Sequence, residues 1–189
     1  MRPALTRFVA LAAVVVLAGC ARHRTYHDPN MDFGSVHTVA VLPFWNLSHD
    51  QQAADRVRDV FTNALLATNG VYVVPTGEVA RALSRVGVAV SSTPSADEVV
   101  RLCAMLKADA VITGVLKEYG EIRSSSSTAN VVALSLQMQD GATGKVIWSG
   151  ASSKGGIGWG ARLLGAAGGE PMNEVTEHAV DDLLDQLFD

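Results

Sequence analysis

Cysteine is nearly missing from this chain of 189 residues, with Cys20 and Cys103 the only two. A disulfide framework is thereby excluded, and stability must come from a packed core. Positive charge is short as well, since 15 Lys and Arg stand against 19 Asp and Glu. No basic cluster supplies the face that phosphate binding needs, which argues against nucleic acid as a partner. Nor does any apolar stretch approach the roughly 20 residues of a membrane-spanning helix. The catalytic patterns Gly-x-Ser-x-Gly, His-Glu-x-x-His and Gly-x-x-x-x-Gly-Lys-Ser/Thr are all missing.

What is present begins at the N-terminus. Arg2 and Arg7 precede an apolar core, Phe8 to Leu17, which closes on Leu17-Ala18-Gly19-Cys20. This is the layout of a secretory signal peptide, and Leu-Ala-Gly-Cys resembles a bacterial lipobox. The resemblance implies cleavage before Cys20, a diacylglyceryl thioether on its sulfur and a further acyl chain such as palmitate. With Ala rather than Asp at position 21, it also implies the outer membrane, with the domain on the periplasmic face. Residues 1–19 therefore read as the signal, 20–35 as the acylated cysteine and a short polar tether, and 36–189 as one domain. The mature part carries 13 basic and 19 acidic side chains, a balance of −6. The tether, Ala21 to Ser35, spans at most about 50 Å extended and nearer about 20 Å as a coil.

The domain reads as alternating strands and helices. Val36 to Phe44 is a nearly continuous apolar run fit for a central strand. Ser48 and Gln51 fit a capping box ahead of a helix that aligns Ala53, Val57, Phe61 and Leu65 on one face. Val71 to Pro75 is a short strand, and a helix from Thr76 is closed by Gly87. Ser95 and Glu98 form a second capping box opening a third helix, on which Cys103 reads as a small buried hydrophobe. A strand runs from Ala110 to Tyr119. Thr128 to Gln139 alternates, with Val132, Leu134, Leu136 and Met138 on one side. Asp140-Gly141-Ala142-Thr143-Gly144 turns the chain into Val146-Ile147-Trp148. The last helix carries the stripe Met172, Val175, Ala179, Val180, Leu183, Leu184 and Leu187. The order β-α-β-α-α-β-β-β-α implies a single α/β sandwich of two or three layers, with helices packed on a mixed sheet.

Three blocks carry a family resemblance. They are Val39-Ala40-Val41-Leu42-Pro43-Phe44-Trp45-Asn46-Leu47-Ser48, Ala108-Asp109-Ala110-Val111-Ile112-Thr113-Gly114, and Asp140 to Trp148. In this order and spacing they resemble the periplasmic domain of the CsgG, LpoB and TolB N-terminal superfamily, and a group of small neisserial-type outer-membrane lipoproteins. The resemblance implies a non-enzymatic assembly domain, working by protein–protein interaction in envelope assembly or secretion, through an envelope partner or self-assembly. The alternative it implies is an accessory activator of a penicillin-binding protein, docking through the outer face of the sheet or the helices. An enzyme is the weakest reading. Pore formation in the manner of CsgG fits poorly, because the partner of the Thr128–Gln139 strand carries Lys117, Glu118, Glu121 and Arg123 where lipid would need an apolar face.

Candidate chemistry is otherwise sparse. Glu174, Glu177 and His178 share a helix but lack a second strong ligand on the same face, so no metal is expected. No cofactor beyond the lipid on Cys20 and no small-molecule substrate is expected either. Gly155-Gly156-Ile157-Gly158-Trp159-Gly160 follows a strand but opens no β-α-β unit, so it fails as a dinucleotide loop. The segment is instead a candidate interaction patch through Ile157, Trp159, Leu163 and Leu164. Its apolar side chains either fold back onto the core or dock on a partner, a sister subunit or the membrane interface. If they dock, Trp159→Ala combined with Leu163→Asp will abolish assembly, read by native mass spectrometry, while leaving the circular dichroism of the fold unchanged. Unfolding of the double variant would place these side chains in the core.

Overall fold

The computed structural model describes residues 25–123, 128–156 and 169–188. In chain order the elements are β1 (Tyr26–His27), a single 3-10 turn (Phe33–Ser35), β2 (Thr38–Val41), β3 (Trp45–Asn46), α1 (Ala53–Ala67), β4 (Tyr72–Val73) and α2 (Thr76–Val86). They continue with α3 (Ala96–Leu106), β5 (Ala110–Arg123), β6 (Thr128–Asp140), β7 (Val146–Gly155) and α4 (Met172–Phe188). The strands form one mixed sheet in the order β1-β7-β6-β5-β2-β4, with β3 beside Val115 and Leu116 of β5. β2 runs parallel to both β4 and β5, and β3 parallel to β5. β5, β6, β7 and β1 are successively antiparallel.

Alternation along the strands divides the core in two. One face takes Val39, Val41, Ile112, Leu134, Leu136 and Trp148, covered by Val57, Phe61 and Leu65 of α1 and Val175, Ala179 and Leu183 of α4. The other takes Ala40, Leu42 and Val111 beneath Val79 and Ala82 of α2 and Val99, Leu102 and Cys103 of α3. Each fully buried Leu or Phe contributes about 1.5–3 kcal/mol. Trp148 is fully buried, and its indole N–H is satisfied by the Gln186 carbonyl at 3.0 Å, which keeps a polar atom in that position from being costly. The apolar side of β6 faces α1 and α4, so it is not available to lipid.

Turn chemistry follows the sequence in most places. Ser95 and Glu98 make both bonds of their capping box, and Gly87 closes α2 in the left-handed conformation. Gly144, at φ 70°, ends the turn after β6, and an added Cβ would stand 2.5 Å from Ala96. The turn is thereby wedged against the start of α3. The first capping box is a correction. α1 starts at Ala53 without a side-chain cap on Gln52. Ser48 bonds Asn46 instead, and the nearer Asp50 accepts from the Gln52 amide at 3.0 Å.

The tether is the second correction. Residues 25–35 belong to the domain: β1 pairs with β7, Asp32 caps the 3-10 turn, and Met31 and Phe33 pack on the core. Polar composition hid this, because the segment's order comes from pairing with a strand more than a hundred residues away. β5 and β7 also run further than their apolar residues indicate, to Arg123 and Gly155.

Two features of this packing are testable. Asp109 accepts from the amides of His37 and Thr38 at 2.9 and 2.8 Å and so fixes the entry to β2 against β5. Asp109→Ala should cost about 1–2 kcal/mol in chemical denaturation, an exposed charge-assisted pair being worth less than a buried one, and Asp109→Asn should cost less. The Cys103 thiol is pushed up to about 12, by burial first and then by Asp140 and Asp109. At pH 8 it should resist iodoacetamide in the native protein and react on unfolding, as mass spectrometry will show. Because the native state holds this proton more tightly, the linked stability is complete below about pH 9, the ordinary thiol value, and is lost between there and about 12.

Candidate interaction surface

The helices α2 and α3 cover only part of their face of the sheet. They lie over β2 and the lower part of β5, and α3 also reaches the Asp140 end of β6; among the described residues no helix covers the same face of the rest of β6 or of β7. Two cross-strand rungs lie there, partly exposed except at the buried Thr113. One joins Thr113, Gln137, Ser149 and Tyr26; the next joins Trp45, Val115, Ser135 and Ala151. Every side chain in the two rungs is uncharged, and between the aromatic ends most are small. With Ser92 and Thr93 of the α2–α3 loop as one wall, the middle of this face forms a shallow groove of about 360 Å³. Ser92 is itself buried, and its hydroxyl has no hydrogen-bond partner.

At one end of the second rung stands Trp45, 47% exposed, with Leu47 beside it at 59%. Both are held firmly. β3 pairs with Val115 and Leu116, and the Leu47 amide donates to the Leu116 carbonyl at 2.9 Å. Asn46 accepts from the Ser48 amide and hydroxyl and donates to the Asp50 carbonyl at 2.7 Å. The Asp50 carboxylate pairs with Arg56, whose guanidinium lies 5.5 Å from the centre of the Tyr119 ring. The Gln52 amide, joined by Arg56, holds the Asp50 carboxyl below its ordinary range. An exposed Trp and Leu on so braced a turn lose little conformational freedom on binding, which is what a contact anchor requires.

Sequence reasoning gave Trp45 and Leu47 no role of their own and so missed this anchor. The only available signal was the presence of two large apolar side chains inside a turn. Cys20 and the patch Ile157, Trp159, Leu163 and Leu164 lie outside the described residues. The patch's flanks are placed, however: the Gly156 amide donates to the Asn130 carbonyl at 2.8 Å, and the Asn130 side chain donates to the Glu170 carbonyl at 2.8 Å. The segment therefore leaves and rejoins the fold at one point on β6.

Among the described residues no chemical centre assembles elsewhere. Glu174, Glu177 and His178 are exposed on α4, and His178 lies 3.4 Å from Glu170. Among the described residues no three of His, Cys, Asp and Glu stand close enough to hold a metal. Asp109 and Asp140 border one cleft beside Cys103, yet both accept from the backbone, Asp140 from Thr143 at 2.8 Å. Also among the described residues, no helix is long and apolar enough to cross a membrane.

Comparison with known proteins agrees with the architecture. A protein of Neisseria meningitidis serogroup B, described as "Putative lipoprotein NMB1124/NMB1162", is 26% identical over 180 residues, spanning 92% of this chain and 82% of that protein. The crystal structure of lipoprotein GNA1162 from Neisseria meningitidis superposes with a TM-score of 0.56 at 22% identity, covering 80% of this chain and 97% of the other. The PelC dodecamer from Paraburkholderia phytofirmans gives 0.57 at 16% identity, covering 87% and 97%. These two structures share the fold. Residues 32–182 match the family described as "Putative lipoprotein GNA1162-like". The chain belongs to this GNA1162-like lipoprotein family.

Proposed function

We propose that this protein is a lipid-anchored adaptor of the outer membrane, with its domain on the periplasmic face, and that it acts by protein–protein contact rather than catalysis. The observation that carries the reading is Trp45, half exposed on a braced turn at the end of an uncharged, uncovered sheet face. Tryptophan is among the side chains that dominate protein interfaces, above all where small neighbours let a partner approach closely. The lipid anchor rests on Leu17-Ala18-Gly19-Cys20 and on membership of a lipoprotein family. Wider kinship with CsgG and the TolB N-terminal domain rests on the three sequence blocks alone.

The partner in this reading is an envelope protein or further copies of the chain. The same fold occurs in a dodecamer in PelC, so self-assembly is compatible with it, and Ile157, Trp159, Leu163 and Leu164 supply a second apolar patch for such a contact. Activation of a penicillin-binding protein is a special case with a geometric demand. Since the described fold includes residue 25, a synthase would have to reach close to the outer membrane to be touched.

Trp45→Ala and Ser135→Arg, introduced separately into the full-length protein, should each reduce partner co-purification or self-assembly at least tenfold, the loss expected from removing one interface anchor worth about 1.4 kcal/mol or more. Because both side chains are at least partly exposed, the thermal midpoint should stay unchanged. Wild-type assembly by both variants would remove this face from the reading.

A further inference from the structure

Chain length and strand direction together specify how the domain meets its membrane. Thr25 donates its hydroxyl to the Gln186 carboxamide oxygen at 2.8 Å. Tyr26 and His27 pair with Ser149 and Trp148 of β7, and the Asp28 amide donates to the Ile147 carbonyl at 2.8 Å. The described fold thus includes residue 25, and only residues 21–24 separate it from Cys20. Five Cα steps of up to about 3.6 Å allow about 18 Å between the two residues. A thioether-linked lipid holds Cys20 among the headgroups, so Thr25 lies within that distance of the membrane surface.

Direction adds the orientation. β1 is antiparallel to β7, so the chain reaches Thr25 from the side on which β7 ends at Gly155. β4 is the opposite edge of the sheet, five strand spacings of about 4.8 Å from β1, or about 24 Å. A tether of about 18 Å therefore favours the β1–β7 edge over the β4 edge. The near edge also presents Tyr26, 46% exposed, a side chain type enriched at membrane–water interfaces because its ring is apolar and its hydroxyl wet.

We propose that the protein stands edge-on to its membrane, with the β1–β7 edge at its Gly155 end against the lipid headgroups and Tyr26 as the interfacial side chain. This rests on acylation of Cys20, part of the reading above. The orientation turns the β4 edge and the α2–α3 layer away from the lipid. A domain lying flat on its open sheet face would instead bring Trp45 to the membrane and bury the face assigned to partner contact.

The test uses the full-length acylated protein in vesicles of phosphatidylethanolamine and phosphatidylglycerol that carry a headgroup nitroxide. A thiol-reactive fluorophore is placed, one site at a time, at Tyr26→Cys, Ser153→Cys, Tyr72→Cys and Met105→Cys, all exposed positions. The intact mass of each sample reports the lipid. Quenching severalfold stronger at 26 and 153 than at 72 and 105 is the expected result. Equal quenching at 26 and 72, or stronger quenching at 72, overturns the orientation while the lipid mass leaves acylation standing. Absence of the lipid mass overturns acylation and the orientation with it. Ser153 reports the same edge should the Tyr26 variant fold poorly.

Discussion

Strand β5 is the element on which the rest of the structure depends. It pairs with β6 along nearly its whole length, and on its other side with β2 and then β3. Its lower residues serve both cores at once, Ala110, Ile112 and Leu116 on one side and Val111 on the other. A strand buried on both faces must be apolar throughout, and Ala110 to Leu116 obeys this apart from Thr113 and Gly114. Gly114 is there because the Phe44 ring lies across the strand, where a Cβ would come within 2.6 Å of it. Above Leu116 a bulge interrupts the register, and the strand turns polar.

The open surface lies beside the lower part of this strand, at Thr113 and Val115. The four helices of the described residues are too few to cover both faces of a sheet this wide. α1 and α4 take one face almost completely, while α2 and α3 serve mainly the β2 side of the other. The remaining antiparallel strands tolerate solvent on one face, as such strands can, and show serine, alanine and glutamine there. β3 ends the exposed rung with an indole. The hydrogen bonds of Asn46, Ser48, Asp50 and Arg56 brace the turn that carries that indole. A binding role without catalysis is thus consistent with the placement of polar groups: the carboxylates at Asp109 and Asp140 are engaged by backbone amides, and the lone described thiol is kept protonated by burial.

The lipid anchor and the surface are linked through the N-terminal arm. A long tether would let the domain sample the periplasm and present any face to any partner. Here the arm is stitched along β7, and the 3-10 turn beyond it seats Phe33 against the core. Only residues 21–24 separate this arm from Cys20.

How much was legible beforehand depended on whether the signal was local. The helical stripes, the alternation of β6, the second capping box and the turn at Asp140 are properties of consecutive residues, and each appears as read. So are the lipobox-like end of the signal and the absence of catalytic motifs. What escaped is nonlocal. β1 and β3 are two-residue strands without periodicity, ordered only because a distant strand offers free hydrogen-bonding groups, and the tether was misread for that reason. Ser48 and Gln51 matched a capping pattern that Asp50 pre-empted by standing closer to the helix. The sequence by itself determined the fold class and the order of the longer elements, because burial periodicity and short motifs are written in neighbouring residues. Only the tertiary structure decided which half of the sheet stays open and that Trp45 stands beside it, since both follow from how many helices reach each face and from pairings between residues far apart in the chain.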